Sequence, residues 1–283
     1  MPKIRNAMTV DVEDYFQVSA FEKHVTRGDW EHKPCRVERN MDRILELMSD
    51  AGTKATFFVL GWVAERYPGV VGRIVADGHE LASHGYEHVR VGLQQPRAFR
   101  EDVGRTKKIL EDIAGCRVEG YRAASYSIGA KTLWALDVLA EAGYRYSSSI
   151  YPIRHDLYGM PEAPRFAFRH GERRMLEIPI TTKRLFAQNV PCGGGGYFRL
   201  WPYWLSRWAL RRVNDNESQA CIFFFHPWEI DPEQPRLSGL ELKTRVRHYL
   251  NLDKMQGRVK RLLGDFRWGR MDEVFKDMIE EMS

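Results

Sequence analysis

Two histidines four residues apart, in Ser83-His84-Gly85-Tyr86-Glu87-His88, are the clearest candidates for chemistry in this chain. Neutral imidazoles at that spacing reach one point when a loop bends or makes a helical turn. They suit zinc, iron, nickel or cobalt. The pair alone is a weak signal, because two surface histidines on a turn look the same. Its place directly after a short apolar run, Glu80–Ser83, strengthens it. A second cluster, Asp11-Val12-Glu13-Asp14, puts three acids at the end of an apolar strand. Carboxylates so close repel one another unless a cation or a basic partner sits among them. One of them with two imidazoles makes a three-ligand site that leaves positions open for water and substrate. Arg122, in Gly120-Tyr121-Arg122-Ala123-Ala124-Ser125-Tyr126, is suited to a two-pronged hydrogen bond with a carboxylate. His226 closes the run Phe223-Phe224-Phe225; it reads as a core histidine or, beside a metal site, as a general acid.

The elements that must position these groups alternate in type. Apolar runs at Ala7–Val12, Lys54–Leu60, Glu80–Ser83, Val118–Arg122, Tyr144–Ser148, Leu176–Pro179 and Ala220–His226 read as strands. Helical spacing of apolar residues predicts helices over Val37–Ala51, Trp62–Asp77, Gln95–Ala114, Lys131–Ala142 and Tyr203–Arg212. This βαβα alternation predicts a parallel sheet with helices outside. Asp11, His84, Arg122 and His226 each fall at or just after the C-terminal end of a predicted strand. Parallel barrels assemble their sites there, so the expected fold is an α/β barrel. No G-x-G-x-x-G follows the first strand, which excludes the dinucleotide-binding alternative. Residues 1–232 are expected to form the barrel and 233–283 a helical C-terminal extension packed on the same domain.

Composition sets the outer limits. At 283 residues, 43% hydrophobic and 29% charged, the chain is an ordinary globular protein rather than a disordered one. Its 8 Trp, 12 Tyr and 14 Phe are enough to line a sugar-binding cleft, although aromatics also fill cores. The formal charge of +5 is spread out and gives no reason to expect nucleic acid. Four scattered cysteines without C-x-x-C spacing suit a reduced compartment. No apolar leader and no membrane span is evident, so the expected location is the cytoplasm.

From Ala7 to Glu229, five motifs in order resemble the polysaccharide deacetylase (NodB homology) family, carbohydrate esterase family four. They are TVDVED, SHGYEH, YRAASY, YSSSIYPIRHD and FFFHPWE. The resemblance implies a distorted (β/α) barrel of the NodB type and hydrolysis of N-acetyl groups on amino sugars of a polysaccharide. It implies a divalent metal, with zinc first and cobalt, nickel or iron as alternatives, on His84, His88 and a third carboxylate. Most members have two adjacent Asp, whereas Val12 follows Asp11 here; D-x-D relatives point to Glu13, and Asp14 stays open. Asp11 matches the catalytic base, tuned by Arg122, and His226 the acid that protonates the departing amine. A backbone N–H near Tyr126 would hold the oxyanion, with Trp228, Gly194 and Gly195 as further oxyanion or substrate positions.

Two departures stand out: Ala124 replaces the usual Pro, and the acid that orients the last histidine is not evident in YSSSI, leaving Asp156 as a guess. More narrowly, VDVEDYFQVSAFE, GGGGYFRL and the tail HYLNLDK…LLGDFRWGRM resemble deacetylases encoded with exosortase and exopolysaccharide gene clusters. An acetylated polysaccharide or oligosaccharide is then the expected partner. Two rivals remain: an allantoinase-like amidase on a small amide, and a catalytically dead carbohydrate-binding module.

Overall fold

The computed structural model describes residues 4–156 and 158–281. Nine strands make the main sheet. They are β1 (Arg5–Val12), β2 (Thr56–Val59), β3 (Glu80–Ser83), β4 (Gly120–Tyr121), β5 (Tyr146–Ser147), β6 (Phe168–His170), β7 (Met175–Glu177), β10 (Ile222–Phe225) and β11 (Arg267–Gly269). Strands β8 (Thr182–Leu185) and β9 (Gln188–Pro191) form a separate antiparallel hairpin. The sheet runs β10-β1-β2-β3-β4-β5-β7-β6, with β11 also on β1; every pairing is parallel except β6 with β7. The helices are α1 (Val37–Asp50), α2 (Gly61–Arg66), α3 (Pro68–Ala76), α4 (Pro96–Ala114), α5 (Trp134–Glu141) and α6 (Gly195–Leu200). They continue with α7 (Tyr203–Glu217), α8 (Leu242–Tyr249), α9 (Leu252–Asp265), α10 (Met271–Val274) and α11 (Lys276–Glu280). This is the mostly parallel α/β architecture that the alternating pattern predicts.

Strands buried on both faces carry near-continuous apolar runs. Their alternation still sorts side chains into two cores. In β1, Met8, Val10 and Val12 face the helix layer, while Ala7 joins Phe58, Tyr126, Ile178 and Phe224 in an inner cluster. Thr9 and Asp11 share the inward parity of Ala7. The same alternation turns Phe223 and Phe225 outward and Ile222 and Phe224 inward, so His226 follows them inward.

The barrel's seam lies between the end of β7 and β10, and irregular backbone closes it. Cys192 N–H donates to the Thr181 carbonyl, Phe224 N–H to the Gly193 carbonyl at 2.8 Å, and Ile222 N–H to the Thr181 hydroxyl at 2.7 Å. A Cβ on Gly194 would lie 2.2 Å from the Phe224 ring, so only glycine allows this approach.

One predicted helix is two. The run Trp62–Asp77 breaks at Tyr67, ahead of Pro68, which lacks an N–H and disfavours helical backbone at the residue before it. The sequence reading also passes over α6, β6, β11 and the β8–β9 hairpin, all too short for a clear periodic signal. Among the described residues, no helix is long and apolar enough to cross a membrane.

Candidate active site

At the C-terminal ends of the parallel strands, Glu13, His84 and His88 present ligand atoms that all lie within 4.8 Å of one another. Each is placed by a short local device. Glu13 follows β1 through a tight turn in which its N–H donates to the Asp11 carbonyl at 3.0 Å. His84 continues β3, its N–H bound to the Val59 carbonyl on the neighbouring strand at 3.0 Å. Gly85, at φ 75°, then turns the loop, and Asp102 on α4 accepts the Tyr86 N–H at 2.7 Å. His88 sits at φ 53°, a left-handed conformation that is rare for a residue other than glycine and costs on the order of 1 kcal/mol. Backbone strain held this way is characteristic of functional loops.

The donor set fits a cation. The Nδ1 of His84 is 2.8 Å from the Arg122 carbonyl, so Nδ1 carries the proton and Nε2 keeps a free lone pair. Glu13 Oε2 lies 3.0 Å from Nε2 of His88, so the two groups converge on one point, and the buried Nδ1 of His88 has no hydrogen-bond partner. Burial of a carboxylate costs free energy that a bound cation would offset. Burial holds the His84 imidazole down at about 4 and His88 well below its ordinary value, so both are neutral, as metal ligation requires. Burial also pushes the Glu13 carboxyl up to about 7, although the His226 charge and the Trp228 hydrogen bond oppose the rise.

Asp14, the other open carboxylate, faces away. Its oxygens accept the Tyr15 N–H at 2.7 Å, the Val37 N–H at 3.0 Å, the Arg36 N–H and the Cys35 thiol. It thereby secures the start of α1. Strand parity carries the signal that separates the two acids: Asp14 shares the outward parity of Val10 and Val12, Glu13 the inward parity of Thr9 and Asp11.

Asp11 lies beside this set. Arg122, fully buried, donates to its Oδ1 at 2.6 Å and to Thr9 Oγ1 at 2.8 Å, and is itself tied to the Ser148 carbonyl and hydroxyl. The Tyr126 hydroxyl donates to Asp11 Oδ2 at 3.0 Å. Burial pushes the Asp11 carboxyl up, but the charges of Arg122, His84 and His226 together outweigh it and hold the group below its ordinary value. The Tyr126 N–H is spent on the Ala123 carbonyl at 3.0 Å. Tyr126 reaches the site through its hydroxyl.

His226 faces the same space, its Nε2 3.5 Å from Glu13 Oε1 and 3.9 Å from Asp11 Oδ2. The partner of its Nδ1 is Glu229, at 2.9 Å. Asp156, the guessed partner, instead binds Lys243 and Arg247 at the surface. Glu229 was legible in principle: it stands three residues past His226, where a one-turn helix brings a carboxylate back to the residue that starts it, and it caps the His226 N–H at 3.0 Å. Arg199, also buried and also unanticipated, binds Glu229 at 2.7 Å and three carbonyls, of Arg247, His248 and Leu250. Burial lowers the His226 imidazole, but the Glu229 hydrogen bond and the charges of Glu13, Glu229 and Asp11 reverse that and lift it to about 9. Trp228 stacks on His226 on one side and on His248 from α8 on the other, with its indole N–H 3.3 Å from Glu13. Gly194 and Gly195 line the barrel seam, packed against Phe224 and Glu229.

A neutral two-imidazole, one-carboxylate donor set flanked by a buried Asp–Arg pair and a His–Glu pair has the makings of a hydrolytic site. Residues 29–147, which hold His84, His88 and Arg122, match the polysaccharide deacetylase family. Through that segment the chain is similar to the polysaccharide deacetylases. Residues 148–276 match a domain of unknown function, DUF3473, and hold His226, Glu229 and Arg199.

A peptidoglycan-N-acetylglucosamine deacetylase of Bacillus cereus is 36% identical over 73 residues, 26% of this chain and 26% of that protein. A chitooligosaccharide deacetylase of Bradyrhizobium sp. is 28% identical over 97 residues, 34% of this chain and 42% of that protein. The chain thus spans less than half the length of these curated relatives. In three dimensions, a Mycobacterium smegmatis structure assigned to the polysaccharide deacetylases aligns over 99% of this chain and 90% of its own, with TM-score 0.61 at 17% identity. An allantoinase aligns over 96% of this chain and 89% of its own, also with TM-score 0.61 at 17% identity. At such identity these likenesses speak of the fold alone.

Proposed function

We propose that this chain is a metal-dependent hydrolase that removes N-acetyl groups from the amino sugars of a polysaccharide, in the making of an exopolysaccharide. The observation that carries the reading is the convergence of Glu13, His84 and His88 on one buried point, next to Asp11 and His226. The relatives named as deacetylases of peptidoglycan and chitooligosaccharides supply the substrate class. The exopolysaccharide setting rests on the resemblance of the Gly193–Leu200 stretch and the tail.

In this reading His84, His88 and Glu13 hold a divalent ion, zinc first among the candidates. When bound, such an ion supplies Lewis acidity to the acetyl carbonyl and makes a nearby water more acidic. Asp11 takes the proton of the attacking water. Its ionised form is secured by Arg122, and the Tyr126 hydroxyl fixes the carboxylate's orientation. His226 gives a proton to the sugar nitrogen as the C–N bond breaks and acetate leaves. Glu229 accepts the Nδ1 proton of His226, so Nε2 is the nitrogen that faces the reacting groups.

The deciding experiment is metal analysis of the purified protein, followed by acetate release from acetylated glucosamine oligosaccharides, with allantoin as control. Metal-dependent acetate release from the oligosaccharides is expected. Protein that binds no divalent metal, or that hydrolyses allantoin and no glycan, would sink the reading. Metal and glycan binding without acetate release would leave a carbohydrate-binding module.

A further inference from the structure

The β8–β9 hairpin and α7 build an exposed apolar patch that the proposed chemistry does not use. At the hairpin tip Phe186 and Ala187 both have positive φ, 46° and 63°. Such a two-residue turn ordinarily takes Asn-Gly, so a phenylalanine there is held at a cost in backbone energy. The side chain gains nothing from the fold in return: Phe186 is 101% exposed. Beside it, α7 turns outward Trp204, 67% exposed, and Trp208, and the preceding α6 ends in Leu200, 57% exposed. Hairpin and helix form one surface, since Lys183, Leu185, Val190, Trp201, Leu205 and Trp208 line a single crevice. The base is fixed by Lys183 and Arg165, which both bind Glu217 at the end of α7, each at 2.5 Å.

The charge around this patch has one sign. Arg184 on the hairpin and Arg211 on α7 are exposed and pair with no carboxylate among the described residues, while Arg212 rests over Trp208. Asp215 is the one exposed acid on α7, near its far end. An apolar tip with indoles behind it and unpaired guanidinium groups around it matches the boundary between acyl chains and anionic headgroups. A second copy fits worse, since a two-fold contact would set these guanidinium groups against their own images. A neutral glycan would offer them hydrogen-bond acceptors but no counter-charge.

We propose that this face docks the protein on an anionic lipid surface, with Phe186 and Trp204 entering the interface and Arg184 and Arg211 meeting headgroup phosphates. The inference goes beyond the catalytic reading and stands apart from it.

Co-sedimentation with vesicles of phosphatidylglycerol and phosphatidylcholine tests it. Wild-type protein is expected to partition onto them, and less so as salt rises. It should bind pure phosphatidylcholine far more weakly. Phe186→Ser and Trp204→Ser should each lower partitioning about tenfold, and Arg184→Gln and Arg211→Gln about fivefold each. Far-UV circular dichroism and acetate release from a soluble oligosaccharide should stay at wild-type levels in all four. Partitioning that is absent, or equal in the Phe186 and Trp204 variants, would overturn the proposal. So would equal binding to neutral vesicles. Wild-type dimers that these variants dissociate would assign the face to a second copy, and glycan binding lost in them would assign it to substrate; either result overturns the proposal.

Discussion

The Nδ1 of His226 lies 2.9 Å from Oε2 of Glu229, three residues further along the same chain. The carboxylate is buried and also held by Arg199, so its position is set from both sides. The charges of Arg199 and His226 outweigh its burial and keep Glu229 ionised.

From this pair the first prediction follows. Glu229→Gln should keep the divalent metal, because Glu229 is outside the ligand set, yet slow acetate release from an acetylated glycan by about 10²-fold or more. On nitrophenyl acetate, whose leaving group needs no proton, the loss should be small. Equal loss on both substrates would mean that the pair serves packing alone.

The two carboxylates after β1 should separate cleanly. Glu13→Gln is expected to lower metal occupancy with little change in melting temperature. Asp14→Asn should leave occupancy intact and cost about 1–3 kcal/mol of stability, because two backbone N–H groups at the start of α1 lose their charged acceptor. Metal analysis beside thermal denaturation reads both, and the reverse pattern would make Asp14 the ligand.

Asp11→Asn should retain metal and lose about 10²–10⁴-fold in turnover, the usual worth of a general base. It should also lower the melting temperature, since Arg122 would keep its neutral partners, Thr9 and Ser148, but lose its counter-charge in a buried site. Loss of metal from this variant would make Asp11 a ligand instead.

A pH effect should arise away from the catalytic groups. Burial, with the neighbouring Asp272 charge, pushes the Glu80 carboxyl up to about 8. Between its ordinary value and 8 the folded state keeps a proton that the unfolded state releases. Stability should therefore fall as pH rises through that window, by at most about 1.4 kcal/mol per pH unit. Glu80→Gln should flatten the slope in urea titrations at pH 5 and pH 8; an unchanged slope would show that Glu80 is ionised throughout.

Much of this organisation is legible in the sequence because the barrel puts chemistry at strand ends. Asp11, His84, Arg122 and His226 each close an apolar run, and the structure brings them together from β1, β3, β4 and β10. What escaped was set by long-range contact rather than local pattern. Arg199 meets Glu229 and the carbonyls at the end of α8 across 30 and about 50 positions, and no periodicity foretells such a clamp. The place of the seam glycines against Phe224 likewise depends on closure of the whole sheet. The opposite facing of Glu13 and Asp14 follows the alternation along β1.

The pairing of β1 has a consequence for synthesis. Its residues Ala7–Val10 pair with Ile222–Phe225 along one edge, and Arg5–Ala7 with Arg267–Gly269 along the other, so one edge of this apolar strand and the start of the second are completed by segments made more than 200 residues later. At about 5–20 residues per second, a ribosome leaves that edge bare for roughly 10–50 s. During that interval the nascent chain carries an open template for wrong pairing, and its yield in a cell depends on what shields the strand until the tail emerges.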